Sequence, residues 1–198
     1  MKIIKCLIFG IFVVFFSGCV TNNSSIGTRT ENIEFEQGGQ FSLKIDVPEN
    51  WRISRERGTP IPGTSRTYDL TISPSSREKV FLRITFGRTQ DGEQLTRQQF
   101  DRLVDSRVST LLPRAVENNA TFIEVQLNDG YGKYCILTDA SLVNRRNIPR
   151  NEYLYLAVYF ANYSNGCIVY ATLLTDDIDS ASFRLMLEIL SSIEVSFN

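Results

Sequence analysis
Several segments of this 198-residue chain read as strands by their apolar pattern, and two others switch to helical spacing. Phe41, Leu43, Ile45 and Val47 alternate with Ser, Lys and Asp and predict a half-buried strand that ends at Pro48. Residues 67–73 and 79–88 predict a hairpin around Pro74-Ser75-Ser76, with Val80, Leu82, Ile84 and Phe86 sharing one face. Residues 122–127 and 131–143 follow, joined by Asn128-Asp129-Gly130, where Asp-Gly signals a type I′ turn. Residues 153–161 and 167–174 flank Ser164-Asn165-Gly166. If Asn165-Gly166 is a two-residue loop, Asn162 faces Val169 and Phe160 faces Ala171. That register places Leu154, Leu156, Val158, Phe160, Val169 and Leu173 on one face, and Tyr153, Tyr155, Tyr159, Ile168 and Tyr170 on the other.

The two interruptions predict helices. Thr96 and Gln99 match a capping box, and Phe100, Leu103, Val104, Val108 and Leu111 recur at helical spacing until Pro113, giving a helix over 97–112. A second helix is expected over Ser180–Ser191, with Phe183, Met186, Leu187, Leu190 and Ile193 as its apolar stripe. Asp176, Asp177 and Asp179 precede it, where the helix dipole favours negative charge. Both faces of the 153–174 hairpin are apolar enough to need cover. The expected class is therefore α+β, an antiparallel sheet of about six strands flanked by amphipathic helices.

The N-terminus gives an address. Lys2 and Lys5 form a charged region, an apolar run of eleven residues extends from Cys6 to Phe16, and Ser17-Gly18-Cys19 follows. A membrane span needs about 20 apolar residues, so the run is too short to cross. Ser-Gly-Cys at the end of such a run resembles the bacterial lipoprotein box, with Phe16 where that family usually has Leu. The resemblance implies cleavage between Gly18 and Cys19 and lipidation of Cys19 by diacylglyceryl and N-acyl groups of the palmitate type. Val20, rather than Asp, after the cysteine implies the outer membrane, facing the periplasm. The expected organisation is a signal peptide over 1–18, a flexible polar tether over 19–34 and one domain over 35–198.

Composition narrows the chemistry. Without the leader, 19 Lys and Arg stand against 22 Asp and Glu, a balance with no nucleic-acid footprint. There is no histidine, so Ser-His and Cys-His nucleophiles and histidine metal sites are absent. No Cys-x-x-Cys occurs, and Gly87 to Gly92 lacks the spacing and the Lys-Ser/Thr of a phosphate loop. Asp176-Asp177-Ile178-Asp179 lacks the glycine and distal glutamate of a calcium loop. No metal or cofactor is expected, and no enzyme. Once Cys6 leaves with the leader and Cys19 takes lipid, Cys135 and Cys167 remain. They either form one disulfide or act as small buried hydrophobes.

Two surface candidates stand out. Tyr153, Tyr155, Tyr159 and Tyr170 would form an aromatic platform unless a helix covers them. Arg145, Arg146 and Arg150 cluster in one polar loop, suited to an acidic partner, to a lipid phosphate, or simply to solvent. Trp51 reads as a core plug.

The segment Phe41 to Trp51 (strand, Pro48, then Trp51), the later hairpins and helix, and the terminal run Phe183 to Val195 together resemble the DcrB/PsbP-like group. Its fold is shared with a small Ran-binding nuclear import factor. The resemblance covers about residues 35–197. It implies an antiparallel sheet sandwiched between helices and an accessory or binding role, and its bacterial members include envelope lipoproteins. The expected function is thus a lipid-anchored, non-enzymatic module for an envelope protein partner. The alternative is a carrier of a small apolar ligand.

Overall fold
A computed structural model describes residues 27–35, 41–57, 64–75 and 78–197. The signal peptide, Cys19 and residues 20–26 of the expected tether lie outside the described residues. The chain is mixed α+β. Its ten described strands are β1 (Thr28–Phe35), β2 (Phe41–Pro48), β3 (Trp51–Arg57), β4 (Thr64–Pro74), β5 (Val80–Thr89), β6 (Ile123–Gln126), β7 (Tyr131–Thr138), β8 (Tyr155–Asn162), β9 (Cys167–Thr175) and β10 (Glu194–Phe197). Helix α1 spans Arg97–Ser109 and α2 spans Ala181–Ser191. Seven strands form one antiparallel sheet in the order β3-β4-β5-β9-β8-β7-β6, and β1-β2-β10 form a second. The expected sheet of about six strands has seven, and a second, three-stranded sheet stands beside it among the described residues. The two strands with no signal in the sequence, β1 and β3, carry mostly polar residues. Residues 28–34, read from sequence as tether, are strand, paired in full register with β2.

The large sheet has an apolar side chain at nearly every central position, so both faces need cover. On one face Leu82, Ile84, Ala157, Tyr159, Val169 and Leu173 pack against Phe183, Met186 and Leu190 of α2 and against Leu43, Ile45 and Val47 of β2. Each of these is at most 3% exposed. On the other face Cys135, Leu137, Val158 and Phe160 meet Phe100, Val104 and Val108 of α1. Trp51 is buried in the first cluster.

Helix α1 starts where its sequence says. Thr96 accepts from the Gln99 N–H, and the Gln99 side chain returns a bond to the Thr96 N–H at 2.9 Å, completing the capping box. The helix ends at Ser109, three residues short of the expectation, and Leu112–Arg114 tighten into a 3₁₀ turn with Pro113 at its start. For α2 the cap is Ser180, whose hydroxyl accepts from the Phe183 N–H at 3.1 Å. The aspartates before it serve other partners. Asp176 accepts from Lys79 at 2.6 Å and from the Leu154 N–H at 3.0 Å, and Asp177 accepts from the Asp179 N–H at 2.9 Å.

The β8–β9 hairpin departs from the expected register by one residue. Tyr163 and Cys167 close a three-residue loop, Ser164-Asn165-Gly166, with Gly166 at φ 75°. A two-residue type I′ turn needs positive φ at both centres, and no described residue other than glycine has it. Asn162 therefore faces Ile168, and Phe160 faces Tyr170. Because side chains alternate, the slip moves Val169 and Leu173 to the face of Tyr159 and sends Tyr170 to the other. At the β6–β7 turn, Gln126 pairs with Tyr131, so four residues close the loop. There Gly130 has φ 120°, and a Cβ on it would lie 2.3 Å from the carbonyl oxygen of Asn162.

Two buried side-chain oxygens lack a hydrogen-bond partner among the described residues, Asp69 Oδ1 and the Tyr159 hydroxyl. The Tyr159 hydroxyl is buried without a hydrogen bond, and burial raises its pKa. An unsatisfied buried hydroxyl costs desolvation and returns nothing. Tyr159→Phe is expected to keep the fold and raise stability by up to about 1 kcal/mol in urea unfolding. A loss of more than that amount would mean the hydroxyl is satisfied.

Candidate interaction surface
The arginine loop is held by its own backbone. After β7, Asp139 accepts from the Ser141 N–H at 2.8 Å and the Ser141 hydroxyl at 2.7 Å. The Leu142 and Arg145 N–H groups then bond the carbonyls of Asp139 and Leu142 at 3.0 and 2.9 Å. Leu142 is buried and pins the loop, while Val143 is 48% exposed. Arg145 donates to Glu152 at 3.1 Å across the loop base, and the Asp139 N–H bonds the Leu154 carbonyl at 2.9 Å.

A second segment lies alongside. The Val116 N–H bonds the Thr138 carbonyl at 2.9 Å, and the Ala140 N–H bonds the Arg114 carbonyl at 3.0 Å. Glu117 accepts from both the N–H and the hydroxyl of Thr138, at 2.8 and 2.7 Å. Burial pushes its carboxyl pKa up, but these bonds outweigh that and hold it below the usual value. Val116 is 52% exposed. Arg114, Arg145, Arg146 and Arg150 are all exposed, and Arg114, Arg146 and Arg150 form no ion pair among the described residues. The two segments thus bring four exposed arginines and two exposed valines to one corner of the fold, and the carboxylates in these segments, Glu117, Asp139 and Glu152, are each hydrogen-bonded.

The tyrosines do not form the platform that their sequence spacing offered. Tyr159 is in the core on the α2 side. Tyr155 shares its parity and is half-buried between Thr138 and Thr175. Tyr170 lies on the α1 side, its ring 5.2 Å from that of Phe160. Tyr153 precedes β8, with the Lys79 ammonium 5.5 Å from its ring centre. The register shift sends Tyr170 to the α1 side, and α2 covers Tyr159.

The disulfide permitted by sequence is not formed. Cys135 and Cys167 are free and buried. They sit on opposite faces of the sheet, on β7 and β9, with β8 between. Two strand spacings, about 9.6 Å, already exceed the Cα separation a bridge allows. Burial pushes the thiol pKa values up to about 11 for Cys135 and about 12 for Cys167. Neither is a reactive thiolate. A thiol reagent is expected to modify neither in the folded protein and both after unfolding. Rapid labelling of either under native conditions would contradict this placement.

Beside α2, a hollow of about 350 Å³ is lined by Glu78, Lys79, Thr175, Asp176, Asp177 and Ser182. Its charges are used internally: Lys79 pairs with Asp176 and the Ser182 hydroxyl bonds Glu78. No group of three or more metal-ligating side chains occurs among the described residues, and none of their helices is long and apolar enough to cross a membrane.

The route by which the chain enters the domain escaped the sequence reading. Gly27 accepts from the Glu49 N–H at 2.8 Å. Arg29 then clamps the β2–β3 corner, donating to the carbonyls of Pro48, Glu49 and Trp51 at 3.0, 2.6 and 2.8 Å. Its position in a polar run with few apolar residues left no periodic signal. No protein-family model matches the chain, and no curated protein matches it either.

Proposed function
We propose that this chain is a lipid-anchored cell-envelope protein whose α+β domain acts by binding a partner protein rather than by catalysis. The observation that carries the reading is Cys19, which follows Ser17-Gly18 at the end of a short apolar run, only eight residues before Gly27 joins the domain. Two or three acyl chains there hold the domain at a membrane, because each buried methylene contributes about 0.8 kcal/mol. The outer membrane, facing the periplasm, is the proposed location. An antiparallel sheet with α1 against one face and α2 against the other supports a DcrB/PsbP-like domain, and the second, three-stranded sheet is an addition to that pattern.

Pull-down with the intact protein from detergent-solubilised envelopes is expected to recover one specific protein. Recovery of none would contradict the binding role. The carrier reading requires space between sheet and helix, where Phe183, Met186, Leu190, Tyr159 and Leu173 are packed at 3% exposure or less.

A further inference from the structure
The arginine corner and the entry point of the chain lie at the same end of the large sheet. Strand pairing links Trp51 to Pro74, Val80 to Thr175, Thr175 to Tyr155 and Tyr155 to Thr138. Gly27, bonded beside Trp51 at Glu49, and the 139–154 loop, which leaves Thr138, are therefore two corners of one edge. Five strand spacings separate β3 from β7, about 24 Å. Eight residues from Cys19 to Gly27 reach at most about 29 Å whatever their conformation. A lipid on Cys19 thus keeps this end, and not the Asn165-Gly166 end, close to the bilayer.

We infer that Arg114, Arg145, Arg146 and Arg150, with Val116 and Val143, are a second membrane contact that docks the domain on anionic phospholipid headgroups of the membrane holding Cys19. The inference rests on the lipid-anchor reading. Its chemistry is that of an interfacial surface: guanidinium groups donate in pairs to phosphate, and small aliphatic side chains enter the headgroup boundary. The carboxylates around these arginines are turned to Thr138, to Ser141 and to Arg145. Asp177, Asp179 and Glu78 stand at the same end but on the α2 side of the sheet, so contact is made by a tilted domain with its α1 side down. One lipidated anchor fixes distance, and the arginine corner fixes orientation. The Asn165-Gly166 end is then presented away from the bilayer, free for the protein partner.

The test uses the full lipidated protein reconstituted in vesicles of phosphatidylcholine alone or of phosphatidylcholine with phosphatidylglycerol. Flotation on the neutral vesicles reads the anchor. Amide hydrogen exchange in residues 140–150 reads the docking. Exchange there is expected to slow by about 10-fold or more on the anionic vesicles only, since each surface arginine strengthens contact with an anionic bilayer several-fold. The slowing should vanish at high salt and in an Arg145→Glu, Arg146→Glu, Arg150→Glu variant, whose unchanged exchange in the core strands confirms folding. Equal exchange on both vesicle types would overturn the docking while flotation leaves the anchor standing. Protection that needs added envelope protein would overturn it too, and assign the corner to an acidic protein. Failure to float on neutral vesicles with protection on anionic ones would overturn the anchor instead.

Discussion
Asn162→Ala is expected to lower stability by about 3 kcal/mol and the melting temperature by roughly 10 °C. Asn162 is fully buried near the end of β8. Its amide nitrogen donates to the Leu95 carbonyl at 2.8 Å and to the Tyr131 hydroxyl at 2.7 Å, while its oxygen accepts from the Leu95 N–H at 3.3 Å. Tyr131 in turn donates to the Leu95 carbonyl at 2.7 Å. One side chain therefore ties the lead-in of α1 to the second face of the sheet. Removing it leaves the Leu95 N–H without that acceptor and opens a small void, so both the desolvation and the packing terms act together. Tyr131→Phe should cost less, about 1 kcal/mol, because Asn162 keeps both bonds to Leu95. The two changes should be non-additive, since they share partners. Urea unfolding of the four proteins of this cycle checks it. A loss below 1 kcal/mol for Asn162→Ala would mean that Leu95 is held by other contacts.

Cys19→Ala is expected to move the protein from a wholly membrane-bound pool to the aqueous phase on detergent partitioning. The lipid is the only strong membrane attachment in the account, and the arginine corner adds a salt-sensitive, weaker one. At high salt, release should therefore be complete. If the Cys19→Ala protein still partitions fully into detergent, lipidation is not what holds it there.

What the sequence revealed and what it concealed follow one physical line. Where a segment is buried on one side along its whole length, its period speaks clearly. Phe41 to Val47 and the α1 stripe of Phe100, Val104 and Val108 fall where alternation and helical spacing put them. Strands at sheet edges have few inward apolar positions, so β1 offers little beyond Ile33, and β3 reads Trp-Arg-Ile-Ser-Arg-Glu-Arg. They are strands because β2 and β4 supply partners, which local sequence does not record. The β8–β9 register turned on a single backbone angle. Gly166 takes the left-handed conformation alone, the loop gains a residue, and Tyr170, Val169 and Leu173 change face. The arginine corner shows the same division. Arg145, Arg146 and Arg150 were visible as a basic loop, but Arg114, Val116 and the nearness of Gly27 to that end are products of long-range pairing.

The two ends of the large sheet differ in what they carry. One end of the sheet carries both the chain entry and the basic corner, and Arg29 fastens the entry with three bonds to the β2–β3 corner. Strand β1, which follows, is paired with β2 along its whole length. The other end carries short turns, with Asn165 bonded to the Val195 carbonyl at 2.9 Å.

The most direct test of the account is the intact mass and N-terminal peptide of the protein extracted from membranes. A mature chain beginning at Cys19 and carrying a diacylglyceryl group on its sulfur is the expected result. A chain that begins elsewhere, or an unmodified Cys19 thiol in the membrane-bound protein, would contradict it.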